Sequence, residues 1–199
     1  EAVRVRVLVS GSTGLIGEAL VKGLAEAGHI PVRLVRSTPP DRHASVRWDP
    51  AAGTMDDGAL DGIDAVIHLA GEGIAERRWT DEQKARILDS RVGGTTLLAD
   101  RIAAAETPPS VFLSGSAIGF YGDRADETLS ESSEPGDGFL AEVVGAWEDA
   151  TAGVRNPPTR VAHVRTGIVL SGEGGALAPQ LPFFKLGLGG KIGSGTQWW

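Results

Sequence analysis

The sequence predicts an α/β protein built on a doubly wound parallel sheet with helices on both faces. Short apolar runs alternate with longer amphipathic runs along the chain, which is typical of βαβ units. The apolar runs are rich in Val, Leu and Ile and do not alternate with polar residues, as expected for strands buried on both faces. A third observation is a glycine triplet, Gly11, Gly14 and Gly17, at the junction of the first apolar and first amphipathic runs.

The apolar runs predict six strands and the amphipathic runs three helices. The strands are expected at 3–10, 30–36, 45–48, 65–70, 111–114 and 161–165, and the helices at 15–27, 80–106 and 139–151. Thr80 is the expected N-cap of the second helix, because acidic residues follow it at the positive end of the helix dipole. The glycine-rich stretch from 167 onward predicts a loop, a short helix and another loop.

Composition limits the function classes that the chain can serve. The chain has 199 residues and no cysteine, which excludes disulfides and thiolate metal sites and fits a cytoplasmic protein. No apolar run approaches the roughly 18 residues that span a bilayer, so we expect no membrane association. The net charge is −7, and residues 123–149 carry nine acids and one arginine. Without clustered Lys and Arg to neutralise phosphates, we expect no nucleic-acid binding.

The glycine triplet has the context of a dinucleotide-binding loop, since it follows a strand and opens a helix. Gly11 permits a tight turn, Gly14 lets the backbone approach a pyrophosphate, and Gly17 lets the helix pack close to the sheet. Amides at the helix N-terminus then meet negative charge. The predicted loop contacts are Gly11, Thr13, Gly14, Leu15, Ile16 and Gly17. The alternative is a simple strand-to-helix turn.

The triplet is spaced GxxGxxG, and "VSGSTGLIG" resembles the extended branch of the short-chain dehydrogenase/reductase superfamily. "AVIHLAG" at 65–71 and "FLSGSAIGFYG" at 112–122 resemble the fourth and fifth strands of that branch. More narrowly, "DSRVGGT", "GDGFLAEVVGAWE" and "GLGGKIGSGTQWW" resemble the epimerase family proteins, some of which are described as sugar-nucleotide epimerases or cell-division inhibitors. The resemblance implies a Rossmann-type nicotinamide-binding domain at 1–166 and the start of a substrate lobe at 167–199. Members continue well past this point, so we expect much of that lobe to be missing.

The end of the second strand predicts NADP(H) as the cofactor. Arg36 stands where an acid would select NAD, and a guanidinium can pair with a 2′-phosphate. Ser37 is the expected second contact. The alternative for Arg36 is a solvated charge at the strand end. Arg33 could share its role, but it lies within the strand and its direction there is open.

The resemblance adds further cofactor residues, and other polar residues near them have plainer interpretations. It implies that Leu69, Ala70 and Gly71 line the cofactor and that Arg91 reaches the same site; a salt bridge to Glu82 or Asp89 is the alternative for Arg91. Asp49 is expected near the adenine. His68 lies on an apolar strand and predicts a satisfied core histidine. No residue set has the spacing of a metal site.

The resemblance also raises a question about catalysis. Short-chain dehydrogenases use a serine with a tyrosine and a lysine spaced YxxxK on one helix face. Ser116 matches the serine, but Phe139 and Val143 stand at the other two positions. Tyr121 is the only tyrosine, and the resemblance places it on the substrate side of the cleft. Glu142 and Glu148 could be bases, but we expect both to face solvent.

Two hypotheses remain from the sequence. The first is an NADP(H)-dependent oxidoreductase or nucleotide-sugar epimerase in which Ser116 or Tyr121 supplies the proton. The second is a non-catalytic NADP(H)-binding sensor or regulatory protein. Either would act on or respond to a small molecule that the sequence does not identify, and the long helices leave a homodimer open. The aromatic residues Phe183, Phe184, Trp198 and Trp199 are interpreted as pocket lining, an interface or ordinary core.

Overall fold

The computed structural model describes residues 3–37, 44–75, 77–154, 159–191 and 193–196. Within these ranges the strands are β1 (Arg6–Ser10), β2 (Ile30–Val35), β3 (Ala44–Asp49), β4 (Thr54–Met55), β5 (Ala65–His68), β6 (Val111–Ala117) and β7 (Arg160–Thr166). The α-helices are α1 (Leu15–Glu26), α2 (Asp81–Ala104), α3 (Phe139–Asp149) and α4 (Leu181–Lys185). Short 3-10 helices follow β6 at Ile118–Tyr121 and α3 at Ala150–Gly153.

The strands form one sheet in the order β4-β3-β2-β1-β5-β6-β7, which confirms the predicted doubly wound architecture. All pairs are parallel except that of β3 with β4. The chain moves outward from β1 through β2 and β3 on one side, and then crosses back to β5 on the other. The strand order therefore reverses beside β1. In open α/β sheets, ligands bind in the crevice at the carboxyl ends of the strands at such a reversal.

Both faces of the central strand are covered. Leu8 on β1 is fully buried in a core that includes Phe112 of β6 and Leu98 of α2. On the opposite face, Val9 packs with Val21 of α1. This two-sided burial explains why the strands lack polar alternation. It also fixes the carboxyl ends of β1, β5 and β6 side by side.

The structure differs from the sequence prediction mainly at short elements. Strand β4 was not predicted because it has only two residues, too few to show a pattern. The predicted N-cap is confirmed, since Thr80 Oγ1 accepts a hydrogen bond from the Gln83 amide at 3.3 Å. The predicted short helix in the tail is α4. Its Phe183 and Phe184 are more than half exposed, so ordinary core packing is the wrong interpretation of them, and Trp198 and Trp199 lie outside the described residues.

None of the helices in the described ranges is long and apolar enough to cross a membrane.

Candidate functional site

The glycine loop between β1 and α1 leaves no room for side chains at two positions. A Cβ added to Gly11 would lie 2.7 Å from the Leu69 carbonyl carbon, and Gly11 has a positive φ of 63°. A Cβ added to Gly17 would lie 2.1 Å from the Gly11 carbonyl oxygen. Gly14 is the N-cap residue of α1, which begins at Leu15, and it has no side chain to cap the helix. Among the described residues no side chain caps the first amides of α1, so these amides can bind an anion.

Beside this loop, a cleft of about 680 Å³ runs over the carboxyl ends of β1, β2, β3 and β5. Of the predicted cofactor residues, those that line it are Gly11, Thr13, Gly14, Arg36, Ser37, Leu69, Ala70 and Gly71. Leu15 and Ile16 line a neighbouring depression on the α1 side, which they share with Thr13 and Gly14. Gly17 is buried beneath the loop. The loop, the second strand end and the fifth strand end therefore meet at one cleft.

Arg33 on β2 and Arg36, which directly follows that strand, have different environments. Arg36 is exposed and borders both the cleft and an adjoining hollow that includes Trp48 and Asp49. Asp49 also lines the cleft, and its Oδ1 accepts from the Ala51 amide at 3.0 Å. Arg33 is buried, and its guanidinium donates to the Ser12 carbonyl. Arg33 therefore supports the glycine loop, while Arg36 is the arginine that a bound ligand could meet.

A buried hydrogen-bond cluster joins β1 to β5 under the cleft. Ser10 Oγ accepts from the amides of Leu69 at 3.1 Å and Ala70 at 3.3 Å. Because these amides can only donate, the Ser10 hydroxyl gives its hydrogen to His68 Nδ1, 2.5 Å away. The ring proton of His68 is then on Nε2, which faces no hydrogen-bond acceptor among the described residues. His68 is thus a core histidine, as predicted, but only one of its ring nitrogens is satisfied.

Burial keeps His68 neutral. Desolvation, and secondarily the positive charge of Arg91, lowers the pKa of His68 from 6.5 to about 4. The ring packs edge-on against Trp48, with 5.9 Å between the ring centroids. The histidine is therefore a neutral hydrogen-bond acceptor at physiological pH and helps to hold the fifth strand end beside the glycine loop.

Helix α2 fastens the loop that follows β5. Arg91 Nη1 donates to the carbonyls of Glu72 at 3.0 Å and Ile87 at 3.1 Å, and its guanidinium lies 5.1 Å from the centroid of the Trp147 ring. Burial lowers the pKa of Arg91, against the opposing effect of Glu72. A Cβ on Gly71 would come within 3.2 Å of Arg91 Cζ. Arg91 thus stands directly behind Gly71.

Sequence reasoning missed Arg86, which lines the cleft from α2. Its Nε and Nη2 both donate to Gln83 Oε1, at 3.1 and 2.7 Å. The Gln83 side chain is buried, so this pair fixes the direction of the arginine. The available signal was the helical spacing of three residues between Gln83 and Arg86, which places both on one face.

The candidate catalytic serine belongs to a second cluster, at the end of β6. Ser116 is 5% exposed, and its hydroxyl donates to Glu148 Oε1 at 2.5 Å. Glu148 lies on α3 with a side chain only 12% exposed, so the expectation that it faces solvent is wrong. Glu142, six residues earlier on the same helix, is exposed as expected. Glu148 turns inward because strand β7 brings a cation to it.

That cation is Arg165, which lies on β7. Strands β6 and β7 pair Ser116 with Arg165. Arg165 Nε and Nη2 each donate to one carboxylate oxygen of Glu148 at 2.8 Å, and Nη1 donates to Tyr121 Oη at 2.9 Å. The guanidinium also lies 3.5 Å from the centroid of the Phe120 ring. The structure therefore joins both predicted catalytic residues, Ser116 and Tyr121, through one ion pair.

The ion pair changes the proton affinity of both partners. Burial alone would raise the pKa of Glu148, but hydrogen bonds from Arg165 and Ser116 outweigh it and leave that pKa below its ordinary value. The hydrogen bond to Glu148 raises the pKa of Arg165 despite partial burial. Glu148 is thus an ionised acceptor and Arg165 a permanent cation.

The two residues at the positions that resemble YxxxK, Phe139 and Val143, pack against other side chains. Val143 is buried, and Phe139 contacts the Trp79 ring at 5.4 Å between centroids. Lys84 Nζ lies 5.4 Å from the Phe139 centroid.

The described ranges contain no cluster of His, Asp or Glu side chains arranged to hold a metal ion.

Comparison with known proteins identifies what this chain is similar to. Residues 7–139 match the NAD dependent epimerase/dehydratase family. An epimerase family protein of Mycobacterium bovis is 40% identical over 192 residues, which span 96% of this chain and 63% of the relative. The chain therefore spans less than two thirds of the length of that relative.

Two solved structures share the fold closely. Human epimerase family protein SDR39U1 (isoform 2), determined with NADPH, has a TM-score of 0.86 against this chain at 38% identity. The match covers 96% of this chain and 63% of the human one. A nucleoside-diphosphate sugar epimerase from Corynebacterium glutamicum has a TM-score of 0.84 at 43% identity, with coverage of 98% and 40%. This chain therefore shares its overall fold with both proteins.

Proposed function

Because this chain belongs to the NAD dependent epimerase/dehydratase family, we propose that it binds NADP(H) in the cleft beside the glycine loop and uses it as a redox enzyme. When bound, the cofactor would supply or accept hydride. The site residues fit such a group: Gly11 and Gly17 leave the loop bare, the first amides of α1 are free, and the cleft has about 680 Å³. The observation that carries the proposal is this bare loop at the reversal of the strand order.

The choice of NADP(H) over NAD(H) rests on Arg36. Its exposed guanidinium at the end of β2 borders the cleft where a 2′-phosphate would be read. The human relative that was determined with NADPH supports the same choice. Arg86 adds a second cation on the α2 side of the cleft.

We expect purified protein to bind NADPH at least about tenfold more tightly than NADH, because one good charge-assisted contact contributes about 1.5–3 kcal/mol. Titrations followed by nicotinamide fluorescence would measure both affinities. In an Arg36→Glu variant the preference should disappear, whereas Arg160→Glu, an exposed site on the far edge strand, should keep it. Equal affinities in the unchanged protein would contradict the assignment of Arg36.

The reaction class that we propose is oxidoreduction or epimerisation of a small carbonyl or nucleotide-sugar compound. The similarity to a nucleoside-diphosphate sugar epimerase supports it, as does the cluster of Ser116, Glu148, Arg165 and Tyr121 beside the carboxyl end of β6. Deuterated NADPH mixed with a panel of carbonyl compounds would test reduction, and NADP+ mixed with a panel of UDP-sugars would test epimerisation. The expected result is transfer of deuterium to a carbonyl compound, read by mass spectrometry, or inversion of one sugar carbon, read by NMR.

The second candidate function is that of a non-catalytic NADP(H) sensor. The observation that favours it is that Phe139, packed against Trp79, and the buried Val143 stand where YxxxK would place a tyrosine and a lysine. A sensor should bind NADPH tightly and transfer no deuterium to any compound of the panel. The two functions thus share the cofactor test and differ in the transfer test.

A further inference from the structure

The directions of the hydrogen bonds decide which of the two candidate hydroxyls can give up a hydrogen. Glu148 is ionised and can only accept, so the 2.5 Å bond from Ser116 uses the hydrogen of Ser116. Ser116 is also 5% exposed. It therefore has only lone pairs to offer to a small molecule.

Tyr121 is in the opposite situation. A guanidinium can only donate, so Tyr121 Oη accepts from Arg165 Nη1 at 2.9 Å and keeps its own hydrogen. Among the described residues no side chain or carbonyl takes that hydrogen, and the tyrosine is partly exposed. The phenol can thus donate to a molecule that arrives from outside.

Contacts with Glu148 and Phe120 position the Arg165 guanidinium beside Tyr121. Two of its nitrogens are bound to Glu148, and its guanidinium stacks on Phe120 at 3.5 Å from the ring centroid. Bidentate carboxylate pairs of this kind fix the plane of the guanidinium. A positive charge is therefore fixed at the oxygen that would become negative if Tyr121 lost its proton.

We propose that Tyr121 is the proton donor of this site and that Arg165, positioned by Glu148, stabilises the phenolate that it leaves. This inference rests on the proposed redox function and selects one of its two candidate donors. In carbonyl reduction, a bound reduced cofactor would supply the hydride for the new C–H bond, and the electrons of the carbonyl π bond would move to the oxygen. That oxygen takes the hydrogen of Tyr121, and water then reprotonates the phenolate. In the oxidative direction the same steps run in reverse.

The test uses the rate at which tetranitromethane nitrates the protein, since this reagent attacks the phenolate form of tyrosine. The chain has one tyrosine and no cysteine, so the nitrophenol signal comes from Tyr121 alone. At a mildly alkaline pH, Arg165→Gln should slow nitration about tenfold or more, because it replaces the charge-assisted hydrogen bond to the Tyr121 oxygen by a neutral one. Arg165→Lys should restore most of the rate, and Arg160→Gln on the same strand should leave it unchanged.

Arg165→Gln leaves Glu148 without its cation and could impair folding. The double variant Glu148→Gln/Arg165→Gln removes both charges, retains side chains that can hydrogen-bond, and should also nitrate about tenfold more slowly. Folding of each variant is checked by its thermal transition. A double variant that folds and nitrates at the unchanged rate would overturn the role of Arg165, and so would an Arg165→Lys variant as slow as Arg165→Gln.

The donor role is tested on whichever carbonyl compound of the deuterium panel is reduced. Tyr121→Phe should lower that rate by about a hundredfold or more, as expected for loss of a general acid, while NADPH affinity stays within a factor of two. A Tyr121→Phe variant of unchanged rate would overturn the donor assignment, as would an unchanged protein that reduces no compound. Neither Tyr121 nor Arg165 lines the cleft, so substitution of either should leave NADPH binding intact. If the Tyr121→Phe or the Arg165→Gln variant folded but no longer bound NADPH, that result would instead count against the proposed function.

Discussion

A Gly17→Ala variant is expected to lose measurable NADPH binding and to be less stable to unfolding by about 2–4 kcal/mol. The added methyl group would lie 2.1 Å from the Gly11 carbonyl oxygen and 2.8 Å from Ser12 Cα, and both of these are backbone atoms of the glycine loop. Neither can move without displacing the loop from β1 and β5. The loop would then no longer present its amides to a pyrophosphate.

Gly23→Ala is the matched control, since Gly23 lies in the same helix and a Cβ there meets no atom within 4 Å. Replacing an exposed helical glycine by alanine should raise the stability of the protein by about 0.5–1 kcal/mol and leave NADPH affinity unchanged. Urea unfolding and fluorescence titration of both variants would show this contrast. Equal effects of the two substitutions would mean that α1, not the close approach at Gly17, determines binding.

The second large effect is expected from His68. Its pKa is about 4 in the folded protein and near 6.5 when exposed, so the unfolded chain takes up a proton first as the pH falls. Stability from this residue is therefore complete above about pH 6.5 and falls by about 1.4 kcal/mol per pH unit below it. The loss should level off near pH 4, after a total of about 3 kcal/mol.

A His68→Asn variant retains an acceptor near the position of Nδ1 but cannot titrate. Its unfolding free energy, measured in urea from pH 7 to pH 5, should fall less steeply than that of the unchanged protein, by about one proton. This interval lies above the range in which Glu148 would be protonated. Parallel pH profiles of the two proteins would show that His68 is not buried and neutral as described.

The sheet could be predicted from the sequence because its signals are local. Each buried strand is an uninterrupted apolar run, and the glycine triplet marks the junction of β1 and α1 within seven residues. The predicted helix boundaries at Leu15 and Phe139 are confirmed. Strand β4 and the 3-10 helix after β6 were missed, since two to four residues are too few for a period to show.

The two clusters of the site differ in how far the sequence could predict them. Most of the predicted cofactor residues line the cleft because the carboxyl ends of neighbouring parallel strands meet at one edge. The pairing of Glu148 with Arg165 depends on the register of β6 and β7, which brings together residues 17 positions apart on different elements. The sequence of α3 gives no sign of that register, so its acidic residue Glu148 was predicted to face solvent.

The position of Arg165 on β7 has a consequence for the order in which the protein assembles during synthesis. A ribosome makes Ser116 first, then Glu148, and Arg165 last of the three. Until β7 adds to the edge of the sheet, the Glu148 carboxylate has the Ser116 hydroxyl beside it but no positive charge. Addition of this outermost strand therefore neutralises the carboxylate and fixes the guanidinium against Tyr121 in the same step. All residues that line the cleft precede β6 in the chain, whereas the ion pair needs a residue of β7.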